Sequence, residues 1–322
     1  MNVNVNERCI QNLDSPPAAA RGGVLTIGNF DGVHLGHQEI LGMARRLADR
    51  DGCKVVAMTF DPPPEQVLGL APSPQTITST PVKCRLLLET GADWVAVVPT
   101  TADMLALSPE EFVARMVVER FAPRHIVEGE DFAFGKGRRG RVETLRAAGD
   151  RLNFQTHVAP AVMLDFQEGR SRVSSTVIRQ LILLGRVDEA AWCLGRPFAL
   201  HGDVVVGQGQ GRLLEFPTAN LSGSRQICPA DGVYAGLAEI DGKRFAAAIS
   251  IGNKPTLGPT EERYIEAFLI DAEGDFYGCA MSLSFLRRLR GQEKFENTEA
   301  LKAHIAADVE HVRQFVSRSR LS

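Results

Sequence analysis

Long apolar runs are missing from this sequence of 322 residues. Its longest uncharged apolar stretches, such as Phe245 to Ile251, fall far below the ~20 residues that a membrane-crossing helix needs. A basic excess is missing too. Residues 1–195 carry 21 basic and 23 acidic side chains, and the remainder from Arg196 carries 15 and 16, so neither part has the charge of a general nucleic-acid binder. Cysteine is sparse: six residues (9, 53, 84, 193, 228 and 279) lie scattered without a CxxC pair. That spacing argues against a structural zinc site and a disulfide scaffold, and points to the reducing cytoplasm. Met1 to Ala20 lacks both an apolar core and a positive start, so it reads as a polar leader rather than a secretory signal. What remains, 44% hydrophobic and 23% charged, is globular composition long enough for about two domains.

The pattern along the chain supports two domains of different texture. From Val24 to about Pro160, short apolar runs alternate with amphipathic segments. Val24–Ile27, Val55–Phe60, Trp94–Val98, 125–127 and Phe154–Val158 read as buried strands. Gly36–Asp49, Val82–Thr90, Pro109–Phe121 and Val142–Ala148 read as helices between them. Ser108-Pro109-Glu110-Glu111 carries an N-cap, a proline at N1 and a glutamate at N3. Such alternation implies a parallel sheet covered on both faces, with ligands bound beyond the carboxyl ends of its strands. Ser174 to Leu194 reads as two short helices punctuated by Gly185, and Gly195-Arg196-Pro197 breaks the pattern. Short alternating runs then follow: Phe198–Val206, Gly232–Ile240, Phe245–Ile251, Tyr264–Ile270 and Ala280–Phe285. Asp241-Gly242 signals a hairpin and Glu273-Gly274 a weaker one. These strands predict a small barrel or sandwich, closed by an amphipathic helix over Thr298–Val316.

The decapeptide Gly28-Asn29-Phe30-Asp31-Gly32-Val33-His34-Leu35-Gly36-His37 follows a strand and opens a helix. Its glycines permit a tight turn. His34 and His37, three residues apart, can face one phosphate at a helix N-terminus; a zinc pair would need further ligands that the sequence does not supply. This segment resembles the GxFDGxHxGH motif of the bacterial bifunctional riboflavin kinase/FMN adenylyltransferase (FAD synthetase) family, whose HxGH signature belongs to a wider nucleotidyltransferase superfamily. Ser174-Ser175-Thr176-Val177-Ile178-Arg179 resembles the superfamily's SSTxxR signature, suited to phosphates through hydroxyls and a bidentate guanidinium. Thr59-Phe60-Asp61-Pro62-Pro63-Pro64 is similar to the family's TFxPHP turn, with Pro63 where histidine is usual. Glu128 to Gly135 resembles its VGxNF/DFxFG segment. The basic run Lys136 to Arg141 reads as a solvated or phosphate-facing loop rather than a nucleic-acid patch.

In the second part, Gly207 to Arg212 has neither GxGxxG spacing nor a P-loop ending. Phe216-Pro217-Thr218-Ala219-Asn220 resembles the riboflavin-kinase PTAN signature, with Glu215 standing where glycine is usual. Asp231 to Tyr234, Ile249 to Thr256, Ile265 to Phe268 and Phe276 to Gly278 resemble the rest of that module in order.

The resemblance, spanning about residues 23–315, implies a Rossmann-like nucleotidyltransferase domain over 23–184, a linker over 185–196, and a riboflavin-kinase barrel with a C-terminal helix over 197–322. It implies that riboflavin is phosphorylated to FMN by ATP and that FMN is adenylylated to FAD, with Mg²⁺ required. It assigns Gly28, Phe30, Asp31, Gly32, His34, His37, Asp131, Ser175, Thr176 and Arg179 to nucleotide binding. Thr218 and Asn220 are assigned to nucleotide phosphates and Mg²⁺, and His34, His37 and Glu266 to catalysis, Glu266 as general base toward the riboflavin hydroxyl. Two other readings are an enzyme with one module silenced through Glu215 or Pro63, and a flavin-binding regulator without turnover. The partners expected are small molecules, with no nucleic acid and no membrane.

Overall fold

The structure, a computed structural model, describes residues 5–69, 75–206, 218–222, 224–253, 263–293 and 295–318. Its chain divides between Ser175 and Thr176 into two compact units. In the first, strands β1 (Cys9–Ile10), β2 (Val24–Ile27), β3 (Val55–Asp61), β4 (Trp94–Pro99), β5 (His125–Gly129) and β6 (Gln155–Ala159) form one sheet. Its order is β1-β4-β3-β2-β5-β6, with every pair parallel. All four residues of β2 are buried, as a strand covered on both faces requires. Alternate residues feed two cores: Val56, Met58 and Phe60 pack into one and Val55 and Ala57 into the other. The helix Leu35–Asp51 turns Leu41, Ala44 and Ala48 inward, at the spacing that puts side chains on one helical face. It stops at Gly52, whose φ of 62° is left-handed. The Ser108 cap forms as expected: its Oγ accepts from Glu111 N–H at 3.1 Å, while Glu111 Oε2 accepts from Ser108 N–H at 2.9 Å. An antiparallel ribbon, β7 (Met163–Phe166) and β8 (Gly169–Arg172), follows.

The polar leader is a correction. Cys9–Ile10 pairs in parallel with β4 at the sheet edge, and Ile10, Leu13 and Ala20 are buried. Two paired residues are too few to leave a period of two in the sequence.

The second unit holds a closed barrel of β9 (Phe198–Val205), β10 (Thr218–Ser222), β11 (Gly232–Ile240), β12 (Lys243–Asn253), β13 (Arg263–Leu269) and β14 (Ala280–Arg290), in the order β10-β13-β12-β11-β14-β9. Asp241 and Gly242, at φ 49° and 75°, make the β11–β12 turn. Glu273-Gly274 makes no hairpin, because β13 pairs with β10 and β12 while β14 pairs with β11 and β9. Thr218–Ser222, which carries Thr218 and Asn220 of the PTAN signature, is a barrel strand. The two short helices expected over Ser174 to Leu194 are present as Ser175–Leu183 and Val187–Leu194; the second, inside the segment expected as a linker, buries Val187, Ala190, Cys193 and Leu194. The closing helix Thr298–Arg318 covers the barrel through Val309, Val312 and Val316. A bond from Arg290 to Asp308 at 2.7 Å ties it to β14.

Candidate functional site

In the first unit, the chain leaves β2 through a loop with Phe30, Gly32 and Val33 at φ 47°, 83° and 40°. Left-handed backbone at two non-glycine residues is costly and must be held by its surroundings. Asp31 does part of the holding. Its carboxylate accepts from Ile77 N–H at 2.9 and 3.0 Å and from Thr78 N–H at 3.1 Å, while Gly32 N–H donates to Thr78 Oγ1 at 3.1 Å. The loop's carbonyls are held as well. Lys83, buried on the helix Thr80–Glu89, donates to the carbonyls of Asn29 and Phe60 at 3.2 Å each. Burial lowers the pKa of this ammonium, offset by Asp31 and Asp61. Asn29 in turn donates to both carboxylate oxygens of Glu65, at 3.0 and 3.2 Å.

This scaffold delivers the two histidines together. Their rings stack with centroids 3.6 Å apart and planes at 19°, and the Phe30 ring meets His37 edge-on at 5.1 Å. His34 caps the helix by accepting from His37 N–H through Nδ1 at 3.4 Å. Gly36 keeps the step between them open, since a methyl there would lie 3.1 Å from the His34 ring. Nδ1 of His37 is buried and, among the described residues, has no hydrogen-bond partner. Burial, then the neighbouring His34 and Lys83, hold its pKa well below 6.5. His37 is therefore a neutral ring with an unsatisfied nitrogen beside a helix N-terminus, ready to gain from an arriving anion.

Both histidines line a cleft of about 570 Å³ with Gly28, Phe30, Asp131 and Ser175. Phe60, Phe112, Phe132 and Phe134 supply aromatic walls. Ser175 Oγ donates to the carbonyl of Asp31 at 2.8 Å, joining the second signature to the first. Asp131 sits exposed at the rim, paired with Arg172 at 2.6 Å. Gly137 and Arg138 of the basic run face the same cleft. Glu128, at the valine position of the VGxNF/DFxFG pattern, lines it while only 2% exposed.

The Asp31 carboxylate and the Gly32 amide make hydrogen bonds inside the protein that shape the loop, and neither residue lines the cleft. Thr176 and Arg179 lie on the helix Ser175–Leu183, in the second unit. Sequence reading missed Lys83, Glu65 and Glu128. The i to i+4 spacing of Lys83 to the buried Leu87 was the available signal for the first.

In the second unit, the register sets Asn220 of β10 directly opposite Glu266 of β13, which in turn faces Ser250 of β12. Thr218 stands opposite Phe268. Period-two alternation puts Thr218 and Asn220 on one face, and Tyr264, Glu266 and Phe268 on one face, while Ala219 and Ala267 between them are buried. Burial raises the Glu266 pKa. Gln292 closes the neighbouring rim by donating to Ser250 Oγ, the Ile251 carbonyl and Tyr264 Oη at 3.2, 2.7 and 3.3 Å. The Gly207 to Arg212 run, Glu215, Phe216-Pro217 and Lys254 to Thr256 lie outside the described residues.

Residues 17–177 match the family described as FAD synthetase, and residues 194–316 match the family described as riboflavin kinase. The bifunctional riboflavin kinase/FMN adenylyltransferase of Escherichia coli strain K12 is 35% identical over 312 residues, covering 96% of each chain. That of Pseudomonas fluorescens is 36% identical, over 93% of this chain and 94% of its own. A crystal structure described as a macrolide-efflux protein from Streptococcus pneumoniae aligns with a TM-score of 0.83 at 32% identity, covering 95% of this chain and 98% of that one. Among the described residues, no helix is long and apolar enough to cross a membrane.

Proposed function

The chain belongs to the family of bifunctional riboflavin kinase/FMN adenylyltransferases, and from that premise we propose how its two units divide the work. The second unit phosphorylates riboflavin to FMN with ATP. Glu266 accepts the proton of the riboflavin 5′-hydroxyl, and the burial that raises its pKa makes its carboxylate a stronger base. The hydroxyl of Thr218 and the amide oxygen of Asn220 are hard donors on one strand face beside that carboxylate, a set that fits Mg²⁺. When bound, Mg²⁺ supplies charge neutralisation of the transferring phosphates.

The first unit then joins FMN to the AMP moiety of ATP. A phosphate oxygen of FMN attacks the α-phosphorus and pyrophosphate leaves, with no protein nucleophile. His34 and His37, at the helix N-terminus, stabilise the growing negative charge. Ser175 binds the phosphates of ATP, and Asp131 with Gly28 and Phe30 borders the nucleotide. The free thiols at all six cysteines accord with a reducing cytoplasm.

The observation that carries this reading is the stacked His34–His37 pair with its buried, unsatisfied nitrogen at the floor of an aromatic cleft. Supplied with riboflavin, ATP and Mg²⁺, the protein should yield FMN and then FAD. His34→Ala or His37→Ala should cut FAD formation by roughly 10²-fold or more, the scale of a lost electrostatic stabiliser, and leave FMN formation near normal. Equal loss of both products would overturn the division of labour.

A further inference from the structure

One buried carboxyl in the first cleft takes no part in the chemistry above. Glu128 is the fourth residue of β5, and its position follows from the sheet order. Strands β2 and β5 pair through Val24 with His125 and Leu25 with Ile126. From β2 the sheet grows one way through β3, β4 and β1, and the other way through β5 and β6. That is the switch point of a parallel sheet, the crevice in which such folds bind ligands. At this place the Ile27 N–H donates to Glu128 Oε1 at 2.7 Å. Among the described residues, it is the one hydrogen bond the Glu128 side chain makes.

A buried carboxylate without a cation is costly, and the group lowers that cost by holding its proton. Burial indeed pushes the Glu128 pKa well above 4.5 against the opposing pull of the Ile27 N–H. A neutral acid offers one O–H donor beside acceptor oxygens. That pair is complementary to a heteroaromatic edge carrying a ring nitrogen or carbonyl next to an N–H. The aromatic walls of the cleft provide the flat surroundings such a ring needs.

We propose that Glu128 is a positioning and specificity residue of adenylyl transfer, its carboxyl donating a hydrogen bond to the polar edge of the ring held at the switch point. The inference rests on the first unit's proposed reaction. Two rings of that reaction have such an edge, the adenine of ATP and the isoalloxazine of FMN, and separate measurements with each tell them apart. Flanking Ile27, Gly129 and Val158 carry no charge; the titratable groups sharing the cleft are His34, His37, Glu65, Asp131, Arg138 and Arg172.

The test uses full-length Glu128→Val and Glu128→Gln. In FAD formation, Glu128→Val should raise KM for ATP or for FMN at least ~10-fold while kcat changes less than ~3-fold, the pattern of lost binding rather than lost chemistry. Glu128→Gln, which keeps an N–H donor, should stay within ~3-fold of the parent. For the affected substrate, the parent's KM should climb as rising pH ionises Glu128, and the Gln variant should not follow. Kd values for ATP and FMN, each titrated alone, read the same contrast even if no FAD is formed, which separates failure of this inference from failure of the adenylyl-transfer reading. Unchanged binding of both substrates in Glu128→Val, with lower thermal stability, would reduce Glu128 to a cap for Ile27 and overturn the proposal. Should Glu128→Val not fold, a Gln variant with the parent's pH profile would overturn it equally.

Discussion

His37 enters the free protein as an uncharged ring, and that has a thermodynamic consequence. Its folded pKa lies well below 6.5, so beneath that value the unfolded chain binds a proton that the folded chain refuses. The stability involved is present above the unfolded pKa and is lost as pH falls toward the folded one. Denaturant melts of the first unit between about pH 7.5 and 5.5 should therefore show falling stability on acidification, with a shallower slope in His37→Gln. Identical slopes would mean that the ring titrates normally. At this scale the sequence was informative about types and less so about partners. The HxGH spacing put both imidazoles at the start of one helix, where their rings stack. Asp31, equally prominent in the motif, turned out to bind the amides of Ile77 and Thr78, and no local pattern announces a partner 46 residues away.

At the scale of elements, two helical glycines make opposite predictions. Alanine exceeds glycine by about 1 kcal/mol in a helix interior. A methyl at Gly42, within Leu35–Asp51, would meet only Arg46 Nη1 at 3.5 Å, so Gly42→Ala should stabilise by ~0.5–1 kcal/mol. At Gly149, within Val142–Leu152, the methyl would lie 2.3 Å from the Phe154 carbonyl oxygen, where the chain doubles back against the helix. Gly149→Ala should destabilise by ~1–3 kcal/mol through overpacking. Urea midpoints moving in the same direction for both would contradict this account. The same contrast between local and distant causes explains which elements could be read. Strands β2 to β6 of the parallel sheet and the longer helices between them showed in the periodicity to within about four residues, whereas β1 did not. β10 did not, because Thr218–Ser222 is short and its pairing to β13 comes from residues more than 40 positions away. The barrel order escaped for the same reason, so a turn signal at Glu273-Gly274 suggested a hairpin that topology forbids.

For the molecule as a whole, the boundary carries the prediction. The second unit begins at Thr176, and the helix Val187–Leu194 buries four apolar side chains that a later start would remove. A fragment of residues 176–322 should fold and convert riboflavin to FMN without making FAD. One starting at Arg196 should be less stable by several kcal/mol, since each lost apolar side chain removes roughly 1.5–3 kcal/mol of burial. Equal melting temperatures for the two fragments would show the helix to be dispensable. The change of texture near residue 196 was visible because β alternation begins there. The helix Val187–Leu194 packs within the second unit without altering the periodicity that follows it.

The pairing of Cys9–Ile10 along β4 has a bearing on how this protein behaves in a crowded solution. Without those two residues, β4 would present a bare row of amides and carbonyls, Val95 and Ala96 among them, to any passing chain. An outer strand of that kind is a template for intermolecular pairing and for fibrous aggregates. Cys9 and Ile10 thus act as a selvedge, finishing the weave beside Val95 and Ala96 so that it does not catch on its neighbours.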